Sequence, residues 1–435
     1  MFQGDQYFEC HLVETQLNDQ GYQNLVDKEE TFQQIEKLDS GFCNYLKNDI
    51  LNDKKQLQQL LIRINQQWNK NLMVELKREE IFTLIILMFL NQINRKQQFG
   101  GFYLINMEHF KKSQIRLCTQ KMRCIENYLR LFYRNKDNLL ESSFDNKEKE
   151  QFKNQIVKFI KNIQKVEFSF NEGDEKSKLN ISINATNHRN EDQMNSTVVD
   201  FADRNIGGLT LDSYNCAQEE ILMLIFPEAL VTMIFIPPMK DNEAVLITNI
   251  KKFSKYSGYE QSFTWKEQDD LDKNFFNMLA IDAKPFSGST IQFKKHNLDR
   301  EMLKCYSGFS LALKYQPNND ISTGRWGCGI FGGNQYLKTM IQLICFAQAK
   351  YENENSTAKL IINTLNNPNL INFVNDLKKY ESILNLQNLI KLFQELSQRF
   401  QYSNDDQFQD MIINYFQKQI QKEDLNYSEK QKGTK

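Results

Sequence analysis

Hydrophobic residues follow two different repeats along this chain, and the changes between them divide it into three parts. Up to about residue 150 the apolar positions recur every three or four residues, which predicts helices from Phe42 onward, at Ile81–Leu90 and at Ser113–Tyr133. Short β-branched runs then alternate with helical repeats as far as residue 380, and beyond it the helical repeat returns. We therefore predict an N-terminal all-α accessory region at 1–150, an α/β domain at 151–380 and a C-terminal helical extension at 381–435.

Within the α/β domain, strands are expected to alternate with helices. The strands are predicted at Val198–Ala202, Ala229–Pro237, Ala244–Ile250, Phe276–Ile281, Ser310–Lys314 and Leu360–Leu365. The helices are predicted at Gln218–Phe226, Asp299–Tyr306 and Tyr336–Lys350. Residues 156–170 fit a helix followed by a strand, and the polar stretch 171–195 fits a disordered insertion. Alternation of this kind favours a layered sheet with ligand sites beyond the ends of its strands.

Composition narrows the classes of protein that this chain can belong to. With 435 residues and a net charge of −1, it has no bulk positive field that would attract a polyanion, so direct DNA binding is not expected. Its eight cysteines stand singly and its four histidines lack ligand spacing, which argues against a disulfide framework and a metal site. Because no apolar run approaches about 18 residues, we expect no membrane segment and an intracellular place, in the nucleus or the cytoplasm.

The stretch from Thr197 to Glu228 combines two features that suggest chemistry. Gly207 and Gly208 follow a short apolar strand, and paired glycines let a backbone approach a phosphate closely. Glu219 and Glu220 open the next helix, where carboxylates could serve in acid–base catalysis. Each feature alone has an ordinary explanation, since glycine pairs form turns and acidic residues stabilise helix starts. Their combination in this order is what indicates a site.

Four segments, taken in order, resemble the poly(ADP-ribose) glycohydrolase family. The first reads VDFA, IGG and QEEI followed by Pro227-Glu228. The others are FSKYSGYEQSFTW at Phe253–Trp265, REMLKCYSGF at Arg300–Phe309 preceded by AIDA, and TGRWGCGIFGGNQYLK at Thr323–Lys338. The resemblance implies a macrodomain-like mixed sheet flanked by helices. It also implies an enzyme that hydrolyses ribose–ribose O-glycosidic bonds with neither metal nor cofactor.

The spacing of the two glutamates limits how they could act. Successive helical residues point about 100° apart, so Glu219 and Glu220 cannot face each other across a bond as the carboxylates of ordinary glycosidases do. A single acid must therefore carry the proton. By the resemblance this is Glu220, while Glu219 orients the ribose hydroxyls.

The resemblance also assigns substrate-binding positions and shows where this chain departs from the family. The implied positions are Asp200, Asp203, Gly207, Gly208, Gln218, Tyr256, Tyr259, Arg325, Gly327, Cys328, Gly329 and Phe331. Leu209 replaces a third glycine, Asp203 and Arg325 each replace an asparagine, and Ile330 replaces a small residue. Leu365 stands where relatives carry an aromatic residue that stacks on adenine, and a leucine cannot stack comparably.

Two hypotheses follow from the retained and altered positions. The first is a poly(ADP-ribose) glycohydrolase whose partners are poly(ADP-ribose) or ADP-ribosylated proteins. The alternative is a catalytically degenerate relative that serves as an ADP-ribose reader or as a structural or interaction module. The retained glutamates favour the first and the altered loop positions favour the second. In either case we expect the C-terminal helices to pack on the domain or on a protein partner.

Overall fold

The structure is a computed structural model that describes residues 10–12, 54–89, 93–95, 115–137, 151–164, 181–212, 215–268, 274–286, 290–400 and 405–432. The chain forms two compact units. The first unit contains residues 1–161, 202–239 and 247–277, and the second contains residues 162–201, 240–246 and 278–435. Among the described helices, none has both the length and the apolarity that crossing a bilayer requires.

Twelve strands are described. They are β1 Cys10–Leu12, β2 Met73–Lys77, β3 Ile93–Arg95, β4 Ile156–Ile163, β5 Ile183–Thr186, β6 Ser196–Asp200, β7 Glu243–Ile250, β8 Lys255–Ser257, β9 Thr264–Lys266, β10 Phe276–Ala280, β11 Asp320–Gly324 and β12 Leu360–Asn363. Eight of them form one mixed sheet in the order β2-β4-β7-β10-β6-β11-β12-β5. Strands β6, β11, β12 and β5 pair in parallel, whereas β2 and β4 are antiparallel. The predicted α/β class with a mixed sheet is therefore confirmed.

Ten α-helices lie within the described residues. They are α1 Lys54–Asn71, α2 Arg78–Phe89, α3 Arg116–Asp137, α4 Gln218–Ile225, α5 Thr232–Phe235, α6 Lys295–Tyr315, α7 Gln335–Glu352, α8 Pro368–Lys378, α9 Leu386–Phe400 and α10 Asp405–Lys432. The predictions for α2, α3, α4, α7 and the C-terminal helices are confirmed to within a few residues. The helix expected from Phe42 lies outside the described residues as far as residue 53.

The second unit contains four parallel strands, and β6, β11 and β12 are buried along most of their length. Every residue of β6 is buried, as expected for a strand covered on both faces. Strand β11 was missed by the sequence analysis because its residues are mostly polar. In the structure, Ser322 donates to the backbone oxygen of Asn190 at 2.9 Å and Thr323 donates to the side-chain oxygen of Gln342 at 2.6 Å. Buried polar side chains that find such partners are compatible with an interior strand.

The first unit has a core of aromatic side chains around helix α2. The rings of Phe82 and Phe132 stack at 4.1 Å between centroids, and Tyr128 meets Phe253 edge-on at 4.6 Å. Nine of the twelve residues of α2 are buried, which explains why its sequence is apolar on all sides. The buried helix predicted at Ile81–Leu90 is therefore confirmed.

Predicted strands proved wrong in two apolar runs. Ala229–Pro237 was predicted as a strand, but a 3-10 helix at Pro227–Val231 continues into α5. Ser310–Lys314 was predicted as a strand and lies inside α6. A short, mostly apolar run shows no period that separates a helix from a strand, so the pattern alone could not decide these two cases.

The region expected to be all-α contains a strand of the main sheet, so that prediction is wrong. Strand β2 alternates between half-exposed and buried residues and pairs with β4 through Leu76 opposite Val157. The helix expected at the start of 156–170 is likewise replaced by β4, and its later strand lies outside the described residues. Residues 181–195 of the expected disordered insertion contain β5 and a 3-10 helix at Asn190–Asp192. The domain limits at residues 150 and 380 stay predictions.

A buried ion pair connects α2 to the residues that follow α4. Both Arg78 and Glu228 are fully buried and form a salt bridge. Arg78 also donates to the side-chain oxygen of Gln155 at 3.1 Å, and Glu228 accepts the backbone N–H of Lys251 at 2.9 Å. Because each charge depends on the other, removing one partner leaves an uncompensated charge in the core.

We predict that Arg78→Met lowers the free energy of unfolding by about 3–5 kcal/mol, because Glu228 would stay buried without its cation. Urea denaturation would measure this. The matched control is Arg63→Met, whose salt bridge to Glu80 is partly exposed at 37% and 28% of the two side chains. Because solvent screens this exposed pair, Arg63→Met should lower the free energy of unfolding by at most about 1 kcal/mol. Equal losses in both variants would show that the buried pair does not stabilise the fold as stated.

Candidate active site

Helix α4 begins at Gln218, directly before the two adjacent glutamates, which belong to the first unit. Ala217 is the N-cap residue, and Glu219 and Glu220 lie in the first turn with only 5% and 6% of their surfaces exposed. The five residues that follow them, Ile221–Ile225, are apolar and buried, and they anchor the helix in the core. Two neighbouring carboxylates that are this deeply buried require hydrogen-bond partners.

The preceding loop supplies partners for Glu219. The backbone N–H of Gly207 donates to one carboxylate oxygen at 2.7 Å, and the backbone N–H of Asp203 donates to the other at 2.9 Å. Glu219 therefore ties together two points of the loop. The side chain of Asp203 is directed to Asn205, whose backbone and side-chain nitrogens donate to it at 2.8 and 3.1 Å.

Glu220 is held from two sides as well. The backbone N–H of Leu209 donates to its Oε1 at 3.0 Å, and the backbone N–H of Ala217 donates to its Oε2 at 2.8 Å. The second bond is the return half of a capping arrangement, in which the third helical residue satisfies the N-cap nitrogen. Glu220 thus joins the loop to the first turn of its own helix.

The paired glycines are required by this geometry. Gly207 and Gly208 have φ values of +102° and +43°, in the range that favours glycine. A Cβ on Gly208 would lie 2.5 Å from a carboxylate oxygen of Glu219 and 2.8 Å from one of Glu220. Leu209 is not among the described residues with positive φ, so the backbone at this third position accepts a leucine.

The loop was expected to direct its N–H groups at a diphosphate, and the structure shows them bound within the protein. Those of Gly207 and Leu209 donate to the two glutamates, and that of Gly208 donates to the backbone oxygen of Asn205 at 3.0 Å. Gly207 therefore binds a carboxylate directly, and Gly208 leaves room for both carboxylates. A contact between this loop and a substrate stays a prediction.

A short hairpin of β8 and β9 carries the two candidate tyrosines. Tyr256 lies opposite Trp265 in the register and stacks on Phe263 at 5.7 Å between ring centroids. Tyr259 is 49% exposed beyond the turn glycine Gly258. The backbone N–H of Glu260 donates to the oxygen of Cys216 at 2.9 Å, one residue before the N-cap of α4. The hairpin and the glutamates are therefore connected within the first unit.

The second glycine-rich loop follows β11 in the second unit and folds around a tryptophan. Trp326 is fully buried and donates its ring N–H to the backbone oxygen of Ile281 at 3.1 Å. Gly327 has a φ of +71°, and a Cβ there would lie 2.6 Å from the Cβ of Ala283. The N–H of Gly333 donates to the oxygen of Gly327 at 2.9 Å, which closes the loop on itself.

A buried lysine under this loop was not assigned a role by the sequence analysis. Lys338, in the first turn of α7, lies 4.0 Å above the ring of Trp326 and forms a buried salt bridge with Glu301. Burial lowers the pKa of Lys338 well below its ordinary value. Arg300 also pairs with Glu301, at 2.7 Å, and Lys304 pairs with Asp282 at 2.6 Å. The signal was present in the sequence, because these charged residues stand inside the segments that carry the family resemblance.

The remaining candidate positions differ in exposure. Arg325 and Gly329 are exposed, Cys328 and Phe331 are half-buried, Gln218 is half-buried, and Asp200 is fully buried at the end of β6. The backbone oxygen of Asp200 accepts the N–H of Ile281 at 3.3 Å. Ile330 is 85% exposed and Leu365 is 52% exposed with a φ of +49°.

Comparison with known proteins identifies similar sequences and a similar solved structure. Residues 160–359 match the family model described as poly(ADP-ribose) glycohydrolase (PARG), macro domain fold. A probable poly(ADP-ribose) glycohydrolase 2 of Arabidopsis thaliana is 34% identical over 195 residues, which cover 35% of this chain and 37% of that protein. Poly(ADP-ribose) glycohydrolase 1 of Caenorhabditis elegans is 37% identical over 172 residues, covering 35% and 22%. A crystal structure of the Deinococcus radiodurans enzyme with ADP-ribose aligns at 12% identity and a TM-score of 0.29, over 52% of this chain and 90% of that one.

The family match and the mixed sheet define a macrodomain-type fold in residues 160–359. Residues 160–359 are similar to the poly(ADP-ribose) glycohydrolase family. Its matched segments span less than half the length of these curated relatives. The matched residues include both glutamates and both glycine loops.

We predict that Gly208→Ala destabilises the protein by about 1–3 kcal/mol, because it combines a strained φ with a close approach to both carboxylates. Gly329→Ala is the matched control, since a Cβ there meets nothing within 4 Å. Its effect should stay within about 0.5 kcal/mol. Chemical denaturation of the two variants provides the comparison. If both were equally stable, the loop would not be held as tightly against the glutamates as its hydrogen bonds indicate.

Proposed function

We propose that this chain hydrolyses the ribose–ribose O-glycosidic bonds of poly(ADP-ribose), with Glu220 as general acid and base. The observation that carries the proposal is the buried pair of glutamates fixed by four backbone N–H groups, from Asp203, Gly207, Leu209 and Ala217. The match of residues 160–359 to the family model suggests the reaction, and the similar proteins are named for this activity.

The two carboxylates have different surroundings, and these support different roles. Both carboxylate oxygens of Glu219 accept hydrogen bonds from the loop that precedes the helix, at residues 203 and 207. Glu219 holds these two points of the loop together, and we propose that it orients ribose hydroxyls. Glu220 accepts one bond from the loop and one from its own N-cap. It stands where the loop and the helix meet.

The proposed reaction needs one proton carrier. Glu220 gives its proton to the leaving ribose oxygen as the glycosidic C–O bond breaks and an oxocarbenium-like state forms. Water then attacks the anomeric carbon, and the carboxylate takes the proton that the water releases. The step consumes one water and yields two hydroxyl-terminated fragments, so it balances with no metal or cofactor.

Substrate contacts are proposed from the resemblance and supported by exposure. Tyr259 is half-exposed at the end of the hairpin, and Arg325 is exposed on the second glycine loop, where a guanidinium could pair with a phosphate.

The proposed binding partners of this chain are poly(ADP-ribose) or ADP-ribosylated proteins. An intracellular place, in nucleus or cytoplasm, and a protein partner for helices α9 and α10 are proposed on the sequence alone.

We predict that Glu220→Gln lowers the rate of ADP-ribose release from poly(ADP-ribose) by about 10²–10⁴-fold, because an amide cannot carry the proton. Glutamine keeps the size of the side chain but can accept only one of the two backbone N–H bonds of Glu220, so its thermal unfolding is compared with that of the wild type to establish that the variant is folded. Glu79→Gln on helix α2, a half-buried glutamate in the first turn of another helix, is the matched control and should keep the wild-type rate. The measurement is the initial rate of ADP-ribose release from an automodified polymer substrate.

A wild-type rate equal to that of Glu220→Gln, with both at background, would overturn the proposed hydrolysis. Calorimetry with free ADP-ribose would then separate two remaining cases. Binding would indicate a reader of the modification, and absence of binding would indicate a structural role.

A further inference from the structure

A buried lysine on helix α3 holds the outer side of the first glycine loop. Lys121 is fully buried, and its ammonium donates to the backbone oxygens of Leu209 at 2.9 Å and Asp212 at 2.8 Å. These two carbonyls belong to the same loop whose N–H groups bind the glutamates. All of these residues lie in the first unit.

Leu209 is consequently fixed at both of its backbone polar groups. Its carbonyl accepts from Lys121, and its N–H donates to Glu220 at 3.0 Å. A hydrogen bond from an ammonium is about twice as strong as one between neutral groups, so the carbonyl end is firmly held. A rotation of this residue would break bonds on both sides.

We propose that Lys121 is a positioning residue for Glu220, holding the glycine loop so that the backbone N–H of Leu209 stays directed at the Glu220 carboxylate. The inference rests on the proposed function for its catalytic consequence. Its structural content, an ordered loop that depends on one buried ammonium, stands on the contacts alone.

The free-energy cost of burying the ammonium of Lys121 indicates that this charge has a specific role. Burial lowers the pKa of Lys121, and the neighbouring Cys216 and Glu220 act in the opposite direction. An apolar side chain would fill the same place at a lower desolvation cost. The retained ammonium gains hydrogen bonds to loop carbonyls, which an apolar residue cannot make.

The sequence contains a signal for this residue. Helix α3 is amphipathic, and Lys121 stands one turn from Leu117 and one turn from Ile125, both of which are buried. A lysine in the middle of an apolar stripe is exceptional, since lysine is almost never fully buried without partners. The partners, however, are backbone carbonyls some 90 residues further along, which no sequence pattern identifies.

The same helix also contacts the tyrosine hairpin. Arg116 donates to the backbone oxygens of Gln261 at 3.1 Å and Phe263 at 3.2 Å. The side chain of Gln120 accepts the N–H of Trp265 at 3.0 Å, and Asn127 donates to the oxygen of Phe253 at 2.6 Å. Helix α3 is thus a common support for the loop and the hairpin, and Lys121 is its contact with the loop.

The test compares Lys121→Met with Lys251→Met. Both replace a buried ammonium in the first unit by an unbranched apolar side chain, and Lys251 lies elsewhere, 4.1 Å above the ring of Phe275. Two quantities are measured well below the unfolding temperature of each variant. The first is amide hydrogen exchange of the peptide segment 203–212, and the second is kcat and KM for polymer hydrolysis.

For Lys121→Met we expect exchange in segment 203–212 to become about tenfold faster, since charge-assisted hydrogen bonds are lost there. We expect kcat to fall by about ten- to hundredfold with KM nearly unchanged, because the misplaced group acts in the chemical step. Lys251→Met should leave both quantities near wild type even if its unfolding temperature falls.

Equal exchange in segment 203–212 for the two variants and the wild type would overturn the positioning role. So would accelerated exchange with an unchanged kcat, because the ordered loop would then not serve Glu220. A wild type without hydrolytic activity would overturn the proposed function instead, and the exchange comparison, which needs no turnover, would still decide whether Lys121 orders the loop.

Discussion

The first unit is organised by the need to satisfy two carboxylates that are buried side by side. Glu219 and Glu220 together present four oxygens, and each oxygen accepts one backbone N–H within 3.0 Å. Leaving any of these charged oxygens without a donor would cost about 1–3 kcal/mol or more. The loop must therefore turn its N–H groups inward, and only glycine at positions 207 and 208 permits the backbone to do so without a clash.

A loop whose N–H groups point inward turns carbonyl oxygens the other way. In a folded interior those oxygens also require partners, and Lys121 supplies them for Leu209 and Asp212. Two hydrogen bonds thus join helix α3, about 90 residues earlier in the sequence, to the loop that binds the glutamates. The accessory region is thus connected to the candidate site by charge and hydrogen bonds as well as by apolar packing.

The sequence predicted the parts of the structure that depend on local pattern. The start of α4 at Gln218, the strands near Val198 and Val245, and the buried helix at Ile81 all follow from period and composition. It could not predict Ala229–Val231, where an apolar run fits helix and strand equally, or β11, where buried Ser322 and Thr323 resemble a loop. The contacts of Lys121 and Lys338 were not predicted, because their partners are distant in the sequence and become neighbours only in the fold.

The departures from the family pattern bear differently on this network once the contacts are known. Glu219 is bound by the backbone N–H of residue 203, so an aspartate there in place of asparagine keeps the bond. Glu220 is bound by the backbone N–H of residue 209, which a leucine retains at a φ that needs no glycine. Arg325, Ile330 and Leu365 are exposed and belong to none of these bonds. The altered positions therefore leave the arrangement of the two carboxylates intact, and any loss they cause would fall on substrate affinity before it fell on the proposed proton transfer.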